Sequence, residues 1–162
     1  METVAVYWES KIKTYGFERI SELALIELSC SLPSVKSLAE MLTGDEMQGL
    51  NPSFIMAQES EGALSFVFCM TEKQGMQFYA ALEQRPSSFS CRYIYPVGII
   101  FFYGPHFGDR YGIADAAFSA VSKEGIQLIA SGCVSSSVYL IMAQDDLSEA
   151  EQELRKTFEA AT

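Results

Sequence analysis

The sequence contains one histidine, and its four cysteines (Cys30, Cys69, Cys91, Cys133) never form a CxxC pair. Ligand count and spacing therefore exclude a His-rich or zinc-finger metal site. Three of the cysteines lie inside apolar runs, where cysteine serves as a small buried hydrophobe. Cations are scarce: eleven Lys and Arg against twenty-one Asp and Glu give a formal charge of -10. They are scattered, with no patch or arm, which argues against nucleic acid and against anionic membrane. The longest apolar run, VGIIFFY at 97–103, is about a third of a membrane-crossing helix. The opening METVAVYWESK has neither the basic nor the apolar part of a signal peptide. A reduced, soluble, cytoplasmic protein is expected, with no metal and no cofactor.

Against these absences stands a chain that is 49% hydrophobic, enough to bury a real core. In its second half, VGIIFFY reads as a central strand. Ile113, Ala116, Ala117, Ala120 and Val121 then mark one helical face, closed by Gly125 in the position of a C-cap glycine. IQLIAS and SVYLIM read as two strands around a turn at 132–136. Asp146 with Glu149 forms a capping-box pattern, opening a last helix through Leu147, Ala150, Leu154 and Phe158. The first half repeats this order. LALIEL (23–28) is a strand, and Val35, Leu38, Ala39 and Leu42 make a helical face. SFIMAQE and ALSFVFCM are strands around a turn at 60–62, Thr71 with Gln74 caps a second helix, and FSCRYIY (89–95) is a fourth strand. That is a βαββαβ unit of the ferredoxin-like pattern, and its recurrence at about 75 residues indicates a tandem α+β protein.

The copies differ at their ends. The second is read as stopping after its second helix, without a fourth strand, while a surplus VAVYWESKIKTYGF precedes the first. Unpaired sheet edges are a liability, so the surplus segment is expected to complete the second sheet, with IKTYGF preferred over VAVYW. The expected division is a first unit at 19–95 and a second made of 1–18 plus 96–162.

The loop FFYGPHFGDRYGIADAAF (101–118) concentrates the chain's chemistry. It joins a strand to a helix, carries the only histidine, His106, and spaces Gly104, Gly108 and Gly112 four apart. The first N–H groups of a helix lack intrahelical acceptors and attract a carboxylate. Gly112 would let a ligand approach that backbone, Asp109 would accept from an ammonium group, and Gln127 would add an amide contact. Gly104 and Gly108 would let the loop fold over the site. The plainer reading makes Asp109 an N-cap, Arg110 a solvated first-turn residue and Tyr111 a lid on the core. The glycine spacing is neither a P-loop nor a GxGxxG fingerprint. A His106–Asp109 pair serving Cys133 or Ser135 as nucleophile is a third reading, although nothing near Cys133 in the sequence implies a lowered pKa. Asp145-Asp146 reads as a helix cap rather than an acid/base couple.

The stretch GDRYGIADAAFSAVSKEGIQLIASGCVSSSVYLIMAQDDLSEAEQELRKTF resembles an ACT domain, specifically the tandem ACT regulatory region of aspartate kinases. Asp109, Gly112, Ile113 and Ala114 match its Asp-x-x-Gly-(Val/Ile)-Ala pattern, and Gly125 and Ile126 match its helix end. The resemblance covers 97–158 well and 23–95 more weakly; Gln58 matches a glutamine in the family's hairpin. Tyr111 replaces the usual proline, Gln127 the usual asparagine, and Ser34 falls where the first unit's glycine would be. The resemblance implies two strand-exchanging units, a homodimer, and sites at unit or subunit interfaces; no kinase domain is expected, since the sequence opens on the regulatory-type segment itself. The expected ligand-binding set is His106, Phe107, Gly108, Asp109, Arg110, Tyr111, Gly112, Ile113, Ala114, Ile126, Gln127 and Gln58. The expected function is allosteric regulation through a small ligand, an amino acid, without catalysis. The alternative is a ligand-free dimerising module that partners a metabolic enzyme, and a Cys/Ser hydrolase ranks below both.

Overall fold

The structure, a computed structural model, describes residues 11–44, 47–60, 62–85, 89–105, 107–108 and 110–160. In chain order the elements are β1 (Ile12–Thr14), β2 (Gly16–Ser31), α1 (Val35–Thr43), β3 (Phe54–Ser60), β4 (Ala63–Thr71), α2 (Glu72–Glu83) and β5 (Ser90–Tyr103). They continue with α3 (Ile113–Ser122), β6 (Leu128–Val134), β7 (Ser137–Ala143), α4 (Leu147–Thr157) and β8 (Phe158–Ala160). The architecture is α+β, built from ferredoxin-like units of the ACT type. Two compact units emerge: a first, Glu22–Val97, and a second made of the described residues up to Ser21 and from Gly98 onward.

In the first unit the strand order is β3-β4-β2-β5. β4 pairs antiparallel with β2, Leu23 opposite Thr71 through Ser31 opposite Ala63, and with β3, Phe54 opposite Cys69 through Ser60 opposite Ala63. Strand alternation sends Ile26, Leu28, Phe68 and Met70 to the face covered by Leu38 and Met41 of α1 and Phe78, Ala81 and Leu82 of α2, forming one core. Thr71 precedes α2 with extended backbone, but its hydroxyl donates to Gln74 Oε1 (3.2 Å) and makes no cap bond to the helix.

In the second unit the order is β2-β5-β7-β6. Its core joins Ile100 and Phe102 of β5 to Ile113, Ala117 and Val121 of α3, Leu140 of β7, Leu147 and Leu154 of α4, and Phe158. Phe17, at the start of β2, packs its ring 5.1 Å from Phe102 and under the Arg155 guanidinium at 5.0 Å. Arg19 and Arg155 both donate to the buried Glu151 carboxylate. Burial alone would raise that carboxyl's pKa. The two arginines' hydrogen bonds and charges outweigh burial and hold it below the ordinary value.

Several expectations need correction. FSCRYIY and VGIIFFY are not separate strands but one, Ser90–Tyr103, which Pro96 interrupts in composition without ending. The chain does have a strand after its last helix: β8 pairs parallel with β1, Ile12 opposite Phe158. Of IKTYGF, then, Ile12–Thr14 pairs with β8, and only Gly16 and Phe17 enter β2, the neighbour of β5. VAVYW lies outside the described residues. The Asp146–Glu149 capping box is not formed, because Asp146 closes a 3-10 turn with helical backbone (φ -80, ψ -13) and makes no cap bond. An N-cap that accepts from the helix needs extended backbone.

Candidate functional site

The loop after β5 starts where the backbone is crowded. A Cβ on Gly104 would lie 2.4 Å from the Lys13 carbonyl oxygen and 2.6 Å from the Phe107 ring, so only glycine fits. Beside it the buried Thr14 donates through its hydroxyl to Tyr103 O (2.7 Å) and accepts from Gly16 N–H (3.2 Å), and Tyr15 N–H also donates to Tyr103 O (2.9 Å). These contacts fasten the end of β5. Phe107 then turns inward, edge-on to Phe102 at 5.8 Å and 6.5 Å from Phe158.

Helix α3 begins at Ile113, and its N-cap is Gly112 with φ 84 and ψ 5, a left-handed conformation that glycine adopts without strain. The cap position is thus held by Gly112, and Asp109, the expected cap, lies outside the described residues. Gly112 O accepts the first helical bond from Ala116 N–H (2.9 Å), leaving the N–H groups of Ile113, Ala114 and Asp115 without intrahelical acceptors. Against this helix end comes the tip of the β6–β7 hairpin, a two-residue turn in which Ser135 has φ 54.

Between them lies a cleft of about 230 Å³ lined by Phe107, Arg110, Tyr111, Gly112, Ile113, Ala114, Cys133, Ser135, Ser136, Ser137 and Val138. Phe107, Ile113 and Val138 give it apolar walls. Helix N–H groups and the Arg110 side chain supply positive potential, and three serines supply hydroxyls that both donate and accept. Such a lining can hold a carboxylate at the helix end and a small polar group at the hairpin. At about 230 Å³ it is below the roughly 300–1,000 Å³ of drug-sized pockets, with room only for a molecule of small-metabolite size.

The structure brings together six of the expected residues, Phe107 and Arg110 through Ala114. Gly108 is exposed and outside the lining, Ile126 is in the core, and Gln127 is exposed away from the cleft. Gln58 is exposed on β3, in the first unit. His106 and Asp109 lie outside the described residues. Tyr111 does not cover the core: it is 97% exposed at the cleft rim. Sequence reading missed the hairpin tip as a wall of the cleft, although Cys133 and Ser135 had drawn attention as nucleophiles. The signal was the small-residue run SGCVSSS, which marks a tight, accessible turn. Among the described residues no group of three or more His, Cys, Asp or Glu is placed to hold a metal. No described helix is long and apolar enough to cross a membrane.

The fold is of the ACT type found in the regulatory regions of aspartate kinases. Solved structures of this fold come from aspartate kinases. The regulatory subunit from Thermus thermophilus, in its ligand-free form, superposes with a TM-score of 0.75 at 14% identity over 90% of this chain and 99% of that one. The allosteric aspartate kinase of Clostridium acetobutylicum gives 0.69 at 13% identity over 91% of this chain, which spans 35% of the kinase. E. coli aspartokinase III in complex with lysine and aspartate, in the T-state, gives 0.56 at 16% identity over 88% of this chain and 32% of that one. No family model matches the sequence, and no curated protein matches it. At these identities the likeness is one of fold.

Proposed function

We propose that this chain is a regulatory protein of the ACT type that binds a small amino acid and acts allosterically, without catalysis of its own. The observation that carries the reading is the cleft where α3's glycine-capped N-terminus meets the serine-rich hairpin tip. Helix N–H groups with Arg110 take the carboxylate, and hairpin hydroxyls face the opposite end. Asp109, close by in sequence, is assigned the ammonium group. The ligand acts by linkage: whichever arrangement of the protein binds it better becomes more populated. The proposal extends to a homodimer in the cytoplasm with a metabolic enzyme as its partner.

A thermal-shift screen of the purified chain against the twenty amino acids tests this. A ligand at about 100 times its dissociation constant stabilises by roughly 2.7 kcal/mol. For a chain this size that raises the melting temperature by about 5–10 °C. One clear responder, lost in Asp109→Asn, fits the proposal. A flat screen favours the second reading, a ligand-free dimerising module. That reading draws support from two exposed apolar groups, Tyr111 at the cleft rim and Val134 (59% exposed) in the hairpin.

A further inference from the structure

Helix α2 carries Glu72, Met76, Tyr79 and Glu83 at i, i+4, i+7 and i+11, which is one stripe of a helix. Strand β5 carries Cys91, Tyr93 and Tyr95 at i, i+2 and i+4, one face of a strand. In the first unit these two rows meet. The Tyr79 and Tyr93 rings pack edge to face at 5.6 Å, and Met76, Tyr79, Cys91, Arg92 and Tyr93 line a cleft of about 380 Å³. That volume is within the range of small-molecule sites. Glu83 and Cys91 lie beside Tyr79 at one end of the row, and Glu72 lies beside Tyr95 at the other. Met76, 54% exposed, lies between them.

Among the described residues, the one cation lining this groove, Arg92, is already paired. Arg92 is taken up by Glu27, donating through Nε (2.8 Å) and Nη2 (2.7 Å) to the two carboxylate oxygens. Tyr79 titrates above its usual range, first because of the Glu83 charge and then through burial. Burial and then Glu83 raise Cys91, and burial and then Glu72 raise Tyr93 and Tyr95. Phenols and thiol thus stay neutral at neutral pH, and the field comes from Glu72 and Glu83, with Glu22 adding to it near Tyr95. Eleven residues of helix separate the two glutamates by about 16 Å along the axis. They are too far apart to chelate one ion, but they stand at the two ends of an aromatic trough, which suits a long cation.

We propose that the α2–β5 groove binds a linear polyamine, with one terminal ammonium at Glu72 and the other at Glu83. The methylene chain and any internal ammonium lie along Tyr79, Tyr93 and Met76. Ring faces attract ammonium groups, and a polarizable thioether accommodates methylenes. The site is in the first unit and is independent of the amino-acid reading of the second.

The test is calorimetric titration of the whole chain with spermine and with the short diamine putrescine, alongside NMR of the tyrosine rings. Spermine is expected to shift the Tyr79 and Tyr93 ring signals and to bind several-fold more tightly than putrescine, which cannot reach both glutamates. Glu72→Gln and Glu83→Gln should each weaken spermine about two- to fivefold. Glu59→Gln, the same charge change at an exposed site on β3, should leave binding unchanged. Equal losses in all three variants, equal affinity for the two amines, or silent Tyr79 and Tyr93 rings would each overturn the proposal in favour of diffuse attraction to an acidic surface.

Discussion

Gly112 carries two burdens that substitution can separate. Its φ of 84 lies in the left-handed region, and a Cβ built on it meets no atom within 4 Å. Alanine there costs backbone strain of about 1–2 kcal/mol without a clash. In a chain of 162 residues that lowers the melting temperature by about 2–8 °C. The same Cβ also projects into open space at the wall of the cleft, where a ligand carboxylate must approach the helix backbone. Gly125 is the matched control: its φ is 78, its Cβ likewise meets nothing within 4 Å, and it is absent from the cleft lining. Urea unfolding should show similar losses for Gly112→Ala and Gly125→Ala. Titration with the amino acid that responds best in the wild type should show binding lost only in Gly112→Ala. Unchanged binding in Gly112→Ala would remove the ligand from this cleft. Equal loss in Gly125→Ala would show that the response follows stability rather than the site, and no loss of stability in either would refute the strain argument.

Gly104→Ala must displace the Lys13 carbonyl or the Phe107 ring, and an overpacking cost of about 1–3 kcal/mol is expected in its urea midpoint. Glu151→Gln removes the carboxylate shared by Arg19 and Arg155 and should cost about 1–3 kcal/mol at neutral pH. Because the native pKa is depressed below the ordinary 4.5, the stability that carboxylate contributes is present above 4.5 and is lost as pH falls through the native value. Wild type and variant should therefore converge in acid unfolding curves, and a gap that stays constant down to the lowest pH would contradict the assignment. The exposed Cys133 should be alkylated quickly and protected by bound ligand. Cys69, fully buried and pushed up to about 12 by burial, should react only on unfolding, as site-resolved mass spectrometry would record.

What was legible in the sequence was local. The apolar stripes of α1 to α4 and the hairpins β3–β4 and β6–β7 followed from periodicity, since one buried face is enough to mark a helix or strand. Where both periodicity and composition changed, the reading faltered. Residues 18–22 (ERISE) carry two glutamates and an arginine and fell between the strands expected at IKTYGF and LALIEL, yet they run inside the sixteen-residue β2. Arg19 belongs there because its guanidinium reaches Glu151 on α4, a partner 132 residues away. Pro96 looked like a break because it has no N–H to donate, yet β5 runs through it. The candidate site divides in the same way. Gly112 with the following Ile-Ala announced a helix start that a ligand can approach, and this is a property of four or five neighbouring residues. Which second element would face it is set by strand order, and the β5-β7-β6 arrangement brings the Cys133–Ser137 turn to α3 while Gln127 and Gln58 lie elsewhere. The half of the cleft built from consecutive residues could thus be read directly, whereas the half contributed by pairing needed the fold. The α2–β5 groove follows the same rule: each of its two rows is periodic in the sequence, but only the topology that sets β5 against α2 turns two periodic rows into one trough.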